Sequence, residues 1–559
     1  MAITTEGPAV APGVQAGALP QHGEVFTRRW VVELILDLSD YTVEKDLAAL
    51  TLLDPAVGGG AFLMVALERL LASRAIHRQT NPWSTLRNAI VAVDVQPRHV
   101  ASCQEAVIAR LRDEGCPESA ARHLASTWIR RADFLLDDVT DGPVHVVVGN
   151  PPYVRIEDLP GETLTAYRKA CPTMTGRADL YIGFFERALD LLAPDGRLGY
   201  ICADRWMRNQ YGRALRKKVV TGEFAIDTCL IMHGVAAFEE DVSAYPAVTI
   251  IRRGVQGEVV AGDAGDDFNE DGAAQFMKWA AKRNDATPFA TRSAVAARLP
   301  HWHTTTESWP DGSPATLAWL EDLGDRLPVL EDEETGTRIR IGVATGADAV
   351  YVTQDATAAE PERMLQLAMP ADIKSGTFAW TGHYLVNPWD EDGLVDLEAW
   401  PKLEEYLRRH GTAVRGRAVA KNNKQRWYRT IDRVTMSVTK KPKLLLEDLK
   451  ARASPVLEPG GHYPHHNLYY LVSDGWDLEV LGGLLLSEVV ERQVAAYCVK
   501  MRGRTLRFQA QYLRRVRAPR PGDIGDDVKD ALRKAFADRD RGAATAAALS
   551  AYGMDTMPQ

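Results

Sequence analysis

An apolar run, Val146-Val147-Val148, leads through Gly149 into Asn150-Pro151-Pro152-Tyr153. Two prolines fix φ and remove backbone donors, so they end a strand in a rigid turn. Such a turn holds the Asn150 amide oxygen and the Pro151 carbonyl oxygen at the strand end. Both are acceptors, and a pair of acceptors suits the two hydrogens of an exocyclic amine. An amine held this way is pyramidal and more nucleophilic, and Tyr153 can stack on the ring that bears it. Asn-Pro also occurs in ordinary turns. The apolar strand before it and the tyrosine after it give this one its chemical reading.

A second constellation lies upstream. Leu52-Leu53-Asp54-Pro55-Ala56-Val57-Gly58-Gly59-Gly60-Ala61-Phe62-Leu63 reads as a strand, a glycine-rich turn and a helix start. Glycines let the backbone approach a ligand where a Cβ would clash, and Asp54 at the strand end can bind an ammonium group. Asp94 ends the run Ala89–Val93, where a carboxylate can accept both hydroxyls of a ribose. Asp133-Phe134 follows a further short run, and a carboxylate beside an aromatic can take an adenine amino group while the ring packs on the base. The turn has neither the GxGxxG spacing of a dinucleotide site nor the GKS or GKT of a P-loop, so the ligand need not carry phosphate. S-adenosylmethionine, with its amino acid, ribose and adenine, fits the three carboxylates.

The elements that must position these residues alternate along 23–255. Strand candidates are Leu50–Leu53, Ala89–Val93, Val144–Val148, Leu198–Ala203, Thr228–Met232 and Ala247–Ile251, with amphipathic stretches Trp30–Leu38, Ala61–Ala72 and Tyr181–Leu192 between them. That alternation predicts a parallel α/β sheet. Residues 1–22 read as a flexible leader, without the charge and apolar core of a signal peptide. The acidic, glycine-containing 256–300 reads as a surface connection, 301–520 as a mixed α/β domain, and 521–559 as one helical tail with a frayed end.

The chain has 559 residues, 46% of them hydrophobic and 25% charged, which predicts a globular protein of more than one domain. No apolar run approaches the ~18 residues of a membrane span. Six scattered cysteines argue against a disulfide framework or a zinc knuckle, and predict reducing cytoplasm. The net charge is −9, yet 401–520 holds 24 Lys and Arg against 11 Asp and Glu. A basic stretch in an acidic chain is the footprint of a polyanion-binding face, the bland alternative being a solvated basic surface. Arg415, Arg417, Lys421, Lys424, Arg426 and Arg429, interleaved with Trp427 and Tyr428, read as phosphate contacts. Lys500, Arg502, Arg504, Arg507, Arg514, Arg515 and Arg517 support the same reading. The cluster His462-Tyr463-Pro464-His465-His466 fits no standard zinc spacing and reads as a strand-edge polar group or a DNA contact, with no metal expected.

These motifs together resemble the TaqI-like (gamma-class) S-adenosylmethionine-dependent DNA methyltransferases of restriction–modification type that act on adenine N6. The resemblance covers 23–255 closely and 300–520 more loosely. It implies a class I Rossmann-like methyltransferase sheet, and a target-recognition domain of which IRIGVATGADAVYV, KPKLLLEDLK and GGHYPHHNLYYLV have the style. Gly23-Glu24-Val25-Phe26-Thr27 is similar to the family's cofactor segment, with Thr27 as its threonine and Arg28 where a proline is usual. Asp54, Ala56, Gly58 and Gly60 match the glycine turn, in the variant Asp-Pro-Ala-Val-Gly-Gly-Gly. Asp94 with Val95, and Asp133 with Phe134, match the ribose and adenine positions. Ala178-Asp179-Leu180-Tyr181 and Phe184 through Gly199 resemble the helix and strand after the catalytic turn. Phe238 matches the aromatic that stacks on a flipped base, with Tyr245 as the alternative. Asn150, Pro151, Pro152, Tyr153 and Phe238 are then the implied catalytic set.

Since a base inside a duplex cannot reach a buried methyl donor, it must be flipped out. In-line attack by its amine needs no protein nucleophile, and the Pro-Cys dipeptide of a cytosine-ring methyltransferase is absent: the order is Cys-Pro at 116 and 171. The expected partners are double-stranded DNA and a separate cognate restriction endonuclease, with the protein itself a monomer and no membrane involved. No nuclease motif accompanies the methyltransferase pattern. RNA or protein-glutamine methylation shares Asn-Pro-Pro-Tyr, cytosine-amine methylation shares its chemistry, and a DNA-binding component without catalysis is a further alternative. The basic C-terminal half counts against the first of these and the intact motifs against the last.

Overall fold

A computed structural model describes residues 25–77, 82–240, 245–282, 287–498 and 506–558, so the expected leader at 1–22 lies outside the described residues. The chain divides into two compact units, Met1–Ala318 and Trp319–Gln559.

The first unit is built on a ten-stranded sheet. Its strands are β1 (Leu52–Asp54), β2 (Ile90–Asp94), β3 (Ile129–Arg131), β4 (Val144–Gly149), β5 (Leu192–Ala203), β6 (Phe224–Ile231), β7 (Pro246–Arg253), β8 (Val259–Ala264), β9 (Phe289–Ala290) and β10 (Ala294–Leu299). They lie in the order β3-β2-β1-β4-β5-β7-β6-β8-β10-β9. Each of the six expected strands is present. The sheet is mixed rather than parallel, because β7 runs antiparallel between β5 and β6. The first seven strands have the class I methyltransferase arrangement. The expected strands are near-continuous apolar runs because helices cover both faces. Leu52, Ala92, Val146 and Val148 point into a core with α1 (Arg29–Leu38), α2 (Ala61–Ile76), α3 (Pro97–Asp113) and α4 (Glu118–Trp128). Leu53, Val93 and Val147 point into the opposite core, with α5 (Gly161–Ala170) and α6 (Tyr181–Leu191).

The expected connection at 256–300 is instead part of this sheet. β8 pairs parallel with β6, and β10 antiparallel with β8. Residues 301–318 also belong here: Trp302, Trp309 and Leu317 are buried in the first unit's core. The second unit therefore begins later than expected, inside the helix Pro314–Arg326.

The second unit has an antiparallel four-stranded sheet in the order Arg338–Ile341, Leu468–Val472, Lys443–Glu447, Val456–Glu458, and a second four-stranded sheet built around Met364–Ala368. The expected single tail helix is two, Asp526–Ala537 and Arg541–Tyr552. Arg539 takes φ 57° between them, and Asp540 caps the second helix by accepting from the Ala543 N–H. The tail is part of the unit's core. The first of the two helices lies so close to the helix Leu478–Leu486 that a Cβ on Gly483 would fall 2.5 Å from the Leu532 carbonyl oxygen.

Candidate active site

The C-terminal ends of β1, β2 and β4 open on one cleft, the place where a Rossmann-like sheet binds ligands. Its floor is the turn before α2. Gly58 and Gly60 have φ of +48° and +87°, which L residues with a Cβ rarely adopt. Gly59 has a steric duty, since a Cβ there would meet the Phe26 ring at 2.8 Å. Phe26, Thr27, Ala56, Gly58 and Gly59 line the cleft, while Gly60 turns away as the N-cap of α2.

The three carboxylates differ in what they already hold. Asp94 Oδ2 accepts from the Gly58 N–H at 3.0 Å and lies 3.2 Å from His99 Nδ1, while Oδ1 accepts from the Gln96 N–H at 2.8 Å. It lines the cleft beside Val95 with its orientation fixed from both sides. Asp133 Oδ2 accepts from the Tyr167 hydroxyl at 2.8 Å and Oδ1 from the Leu135 N–H at 3.0 Å. Burial raises its pKa against those hydrogen bonds. Phe134 beside it packs on Phe184 with centroids 5.2 Å apart. Asp54 does not line the cleft. It lies behind the turn, 1% exposed, and its Oδ1 accepts from the Ala56 N–H at 3.3 Å. Burial, with Asp94 nearby, pushes its carboxyl up to about 7.

The Asn150–Tyr153 turn is held differently. Asn150 Nδ2 donates to the Val25 carbonyl oxygen at 3.0 Å, which sets the amide's orientation. Its Oδ1 is buried and accepts no hydrogen bond within the protein. Buried polar atoms are nearly always satisfied, so this acceptor, in a cleft-lining residue, is free to take a hydrogen from a ligand. Pro152 lines the cleft, and Pro151 is buried beneath it. Tyr153 and Phe238 meet edge to face, with centroids 6.5 Å apart and planes at 83°. The Tyr153 hydroxyl is buried without a partner, and burial holds its pKa well above the usual range. Phe238 sits on a loop pinned to the segment before α1. Thr27 bridges Phe238, the Arg28 N–H donates to the Ala237 oxygen at 3.0 Å, and Arg28 Nε donates to the Phe238 oxygen at 2.8 Å. Arg28, standing where the family usually has proline, uses a backbone donor that proline lacks.

Sequence reasoning missed His99 and Tyr167, and named Val25 and Phe184 only as members of family-like segments, without the contacts they make here. Tyr167 is 34 residues from the carboxylate it serves, and no local spacing signals such a pair.

In the second unit the expected DNA-binding residues are dispersed. Arg415, Lys421, Lys424 and Arg426 are exposed, and Arg415 lies over the Trp427 ring at 3.7 Å. Arg417 is an internal brace instead. It donates to the Thr345, Val414 and Trp427 oxygens at 2.7, 2.9 and 3.0 Å and to the Tyr351 hydroxyl at 3.2 Å. Arg429 folds back on the Thr430 and Ile431 oxygens, both at 3.4 Å. Arg507 is paired with Asp448 at 2.5 Å. Lys500, Arg502 and Arg504 lie outside the described residues. His462 bonds Glu458 at 2.9 Å and His465 bonds Asp348 at 3.1 Å. His465 Nδ1 accepts from the Asn467 N–H at 3.3 Å, so its Nε2 carries the hydrogen given to Asp348.

Comparison with known proteins places the chain. The profile of the Eco57I restriction-modification methylase family matches residues 88–232. The chain is 40% identical to the type II methyltransferase M.XhoI of Xanthomonas vasicola, over 96% of this chain and 98% of that one. It is 40% identical to the type II methyltransferase M.PaeR7I of Pseudomonas aeruginosa, over 96% and 93%. Among solved structures, the type IIL restriction-modification enzyme MmeI in complex with DNA is similar in fold, with a TM-score of 0.55 at 11% identity over 95% of this chain and 74% of that one.

Proposed function

The chain belongs to the type II methyltransferases, the DNA-modifying enzymes of restriction–modification systems, and from that premise we propose that it methylates N6 of adenine at a specific site in double-stranded DNA, with S-adenosylmethionine as donor. The observation that carries the reading is the unsatisfied Asn150 Oδ1 in the cleft wall. A flipped adenine brings the missing donor as its exocyclic amine. Asn150 Oδ1 accepts one amine hydrogen and the Pro151 carbonyl oxygen the other. The nitrogen lone pair is thereby aimed at the methyl, and positive charge developing on nitrogen is stabilised by an acceptor whose orientation Val25 has already set.

S-adenosylmethionine supplies an electrophilic methyl group on sulfonium. The residues present fit it: the backbone at Gly58 is open to a ligand, Asp94 would accept the ribose hydroxyls, and Asp133 with Phe134 would take the adenine. Thr27 closes the wall beside the turn. Tyr153 and Phe238 pack on the flipped base, which requires one ring to turn from the edge-to-face contact. The second unit recognises the target sequence, with Arg415, Lys421, Lys424 and Arg426 on phosphates. The enzyme works as a monomer beside a separate nuclease.

Single-molecule sequencing of DNA from cells expressing the protein tests this. N6-methyladenine at one sequence context is expected, and Asn150→Ala should lower its formation about 10²–10³-fold with cofactor affinity nearly intact. Methyl groups on cytosine N4, or an Asn150→Ala enzyme of ordinary activity, would overturn the assignment.

A further inference from the structure

In the second unit, four polar side chains form a relay that ends in solvent. The Arg507 guanidinium grips Asp448 through Nε at 3.2 Å and Nη2 at 2.5 Å. Gln509 Nε2 donates to the same carboxylate at 3.3 Å. An amide carries its nitrogen and oxygen on opposite arms, so Gln509 Oε1 is turned the other way, and Gln511 Nε2 donates to it at 2.9 Å. The polarity of the exposed Gln511 amide is therefore set two residues away, by an ion pair. The backbone holds both partners of the ion pair: Leu449 pairs with Arg507, and the Phe508 N–H donates to the Asp448 oxygen at 2.8 Å.

Gln509 and Gln511 line a groove of about 780 Å³ together with Arg338, Arg340, Arg514 and Ile341. Arg340 and Arg514 share one carboxylate, Glu331, at 2.6 and 2.7 Å, which leaves a surplus positive charge there. Ile341 is 47% exposed, an apolar side chain beside cations. Fixing an exposed glutamine costs rotamer freedom that folding does not recover. Its free amide oxygen and remaining N–H form an acceptor–donor pair that suits a base edge.

We propose that Gln511 is a specificity-determining residue that reads an adenine of the recognition sequence in the major groove. Its Oε1 accepts from adenine N6, and its second Nε2 hydrogen goes to N7. Gln509 is a positioning residue, acting through Gln511. The inference rests on the reading of the chain as a site-specific DNA methyltransferase, and the groove's cations bring the duplex to it.

The test has two arms, one read by methylation and one by binding. In the first, methylated sites are sequenced for the wild type, Gln511→Ala, Gln511→Glu and Gln509→Met. Gln511→Ala should lower discrimination about ten- to hundredfold at a single A·T pair and nowhere else. Gln511→Glu should favour cytosine there, because a carboxylate accepts from cytosine N4. Gln509→Met should relax the same position by a smaller factor. In the second arm, the affinities of the purified proteins for duplexes altered one base pair at a time are measured at several salt concentrations. That arm needs no methyl transfer, so it scores Gln511 even if the catalytic reading fails. An unchanged preference overturns the proposal. So does weakening that is equal on every sequence with a shallower salt slope, which would make Gln511 a backbone contact.

Discussion

The first unit's candidate residues stand out by spacing, and most of them converge on one cleft; the second unit's stand out by charge, and they scatter. Asp94, Asp133 and Asn150 each stand at or just past a strand end, where a turn leaves one direction for a side chain. The arginines of 401–520 carry no such constraint. A guanidinium has five donors and serves as well inside a fold as on a phosphate. Arg417 spends its donors on three backbone carbonyls and a tyrosine, while Arg426, nine residues on, is exposed. Spacing reports geometry, whereas a charge count mixes braces with phosphate binders.

The largest expected effect concerns the one spaced carboxylate that misses the cleft. The Asp54 carboxyl titrates at about 7 in the folded protein, against about 3.9 unfolded. The folded state thus holds a proton that the unfolded chain has lost between those values, so this contribution to stability falls as pH rises through that window. Asp54→Asn is neutral throughout and should be more stable than wild type at pH 8 by as much as ~4 kcal/mol, with little difference near pH 4. Denaturant melts at the two pH values check this. Disappearance of the difference when S-adenosylmethionine is added would put the cofactor's ammonium on Asp54 and restore it to the cleft set.

Next in size, Arg417→Ala should cost about 2–4 kcal/mol of the second unit's stability, because the carbonyls it bridges lose a charged donor. A chemical melt showing no loss, together with a shallower salt dependence of DNA binding, would return Arg417 to the phosphate-binding set. Asp94→Ala should weaken S-adenosylmethionine binding about ten- to hundredfold, a lost charged hydrogen bond being worth roughly 1.5–3 kcal/mol. Calorimetry on the folded variant decides it. The smallest effect is on slope: replacing Lys421, Lys424 and Arg426 together should lower the dependence of log K on log salt by about 0.9 for each phosphate no longer neutralised, equally on all sequences. A change in site preference instead would make these residues readers of bases.

The same contrast explains what was legible in the sequence. Strands that are buried on both faces announce themselves as apolar runs, which is why six of the first seven strands were readable. β3 was not, because Ile129 is its one buried residue and two exposed arginines complete it. The stretch 256–300 misled because Gly262, Asp263 and Gly265 through Asp267 read as loop chemistry. Yet Gly262 lies in the middle of β8, where a Cβ would meet the Leu230 side chain at 2.8 Å. The tail's division into two helices was written as Asp540, a good N-cap, inside a run of charges that hid it. The cleft's indirect supports, Tyr167 for Asp133 and Val25 for Asn150, depend on the sheet being assembled and have no local signature.

The short segment Val25–Arg28 ties the Asn150 amide to Val25 and the Phe238 loop to Arg28, across sequence separations of 125 and 210 residues. Pairings of that range carry a large loop-closure cost, which the rest of the fold has to offset. A chain that slipped only at Val25–Arg28 would therefore lose the alignment of the Asn150 amide and of the Phe238 loop together with the Phe26–Thr27 wall of the cleft.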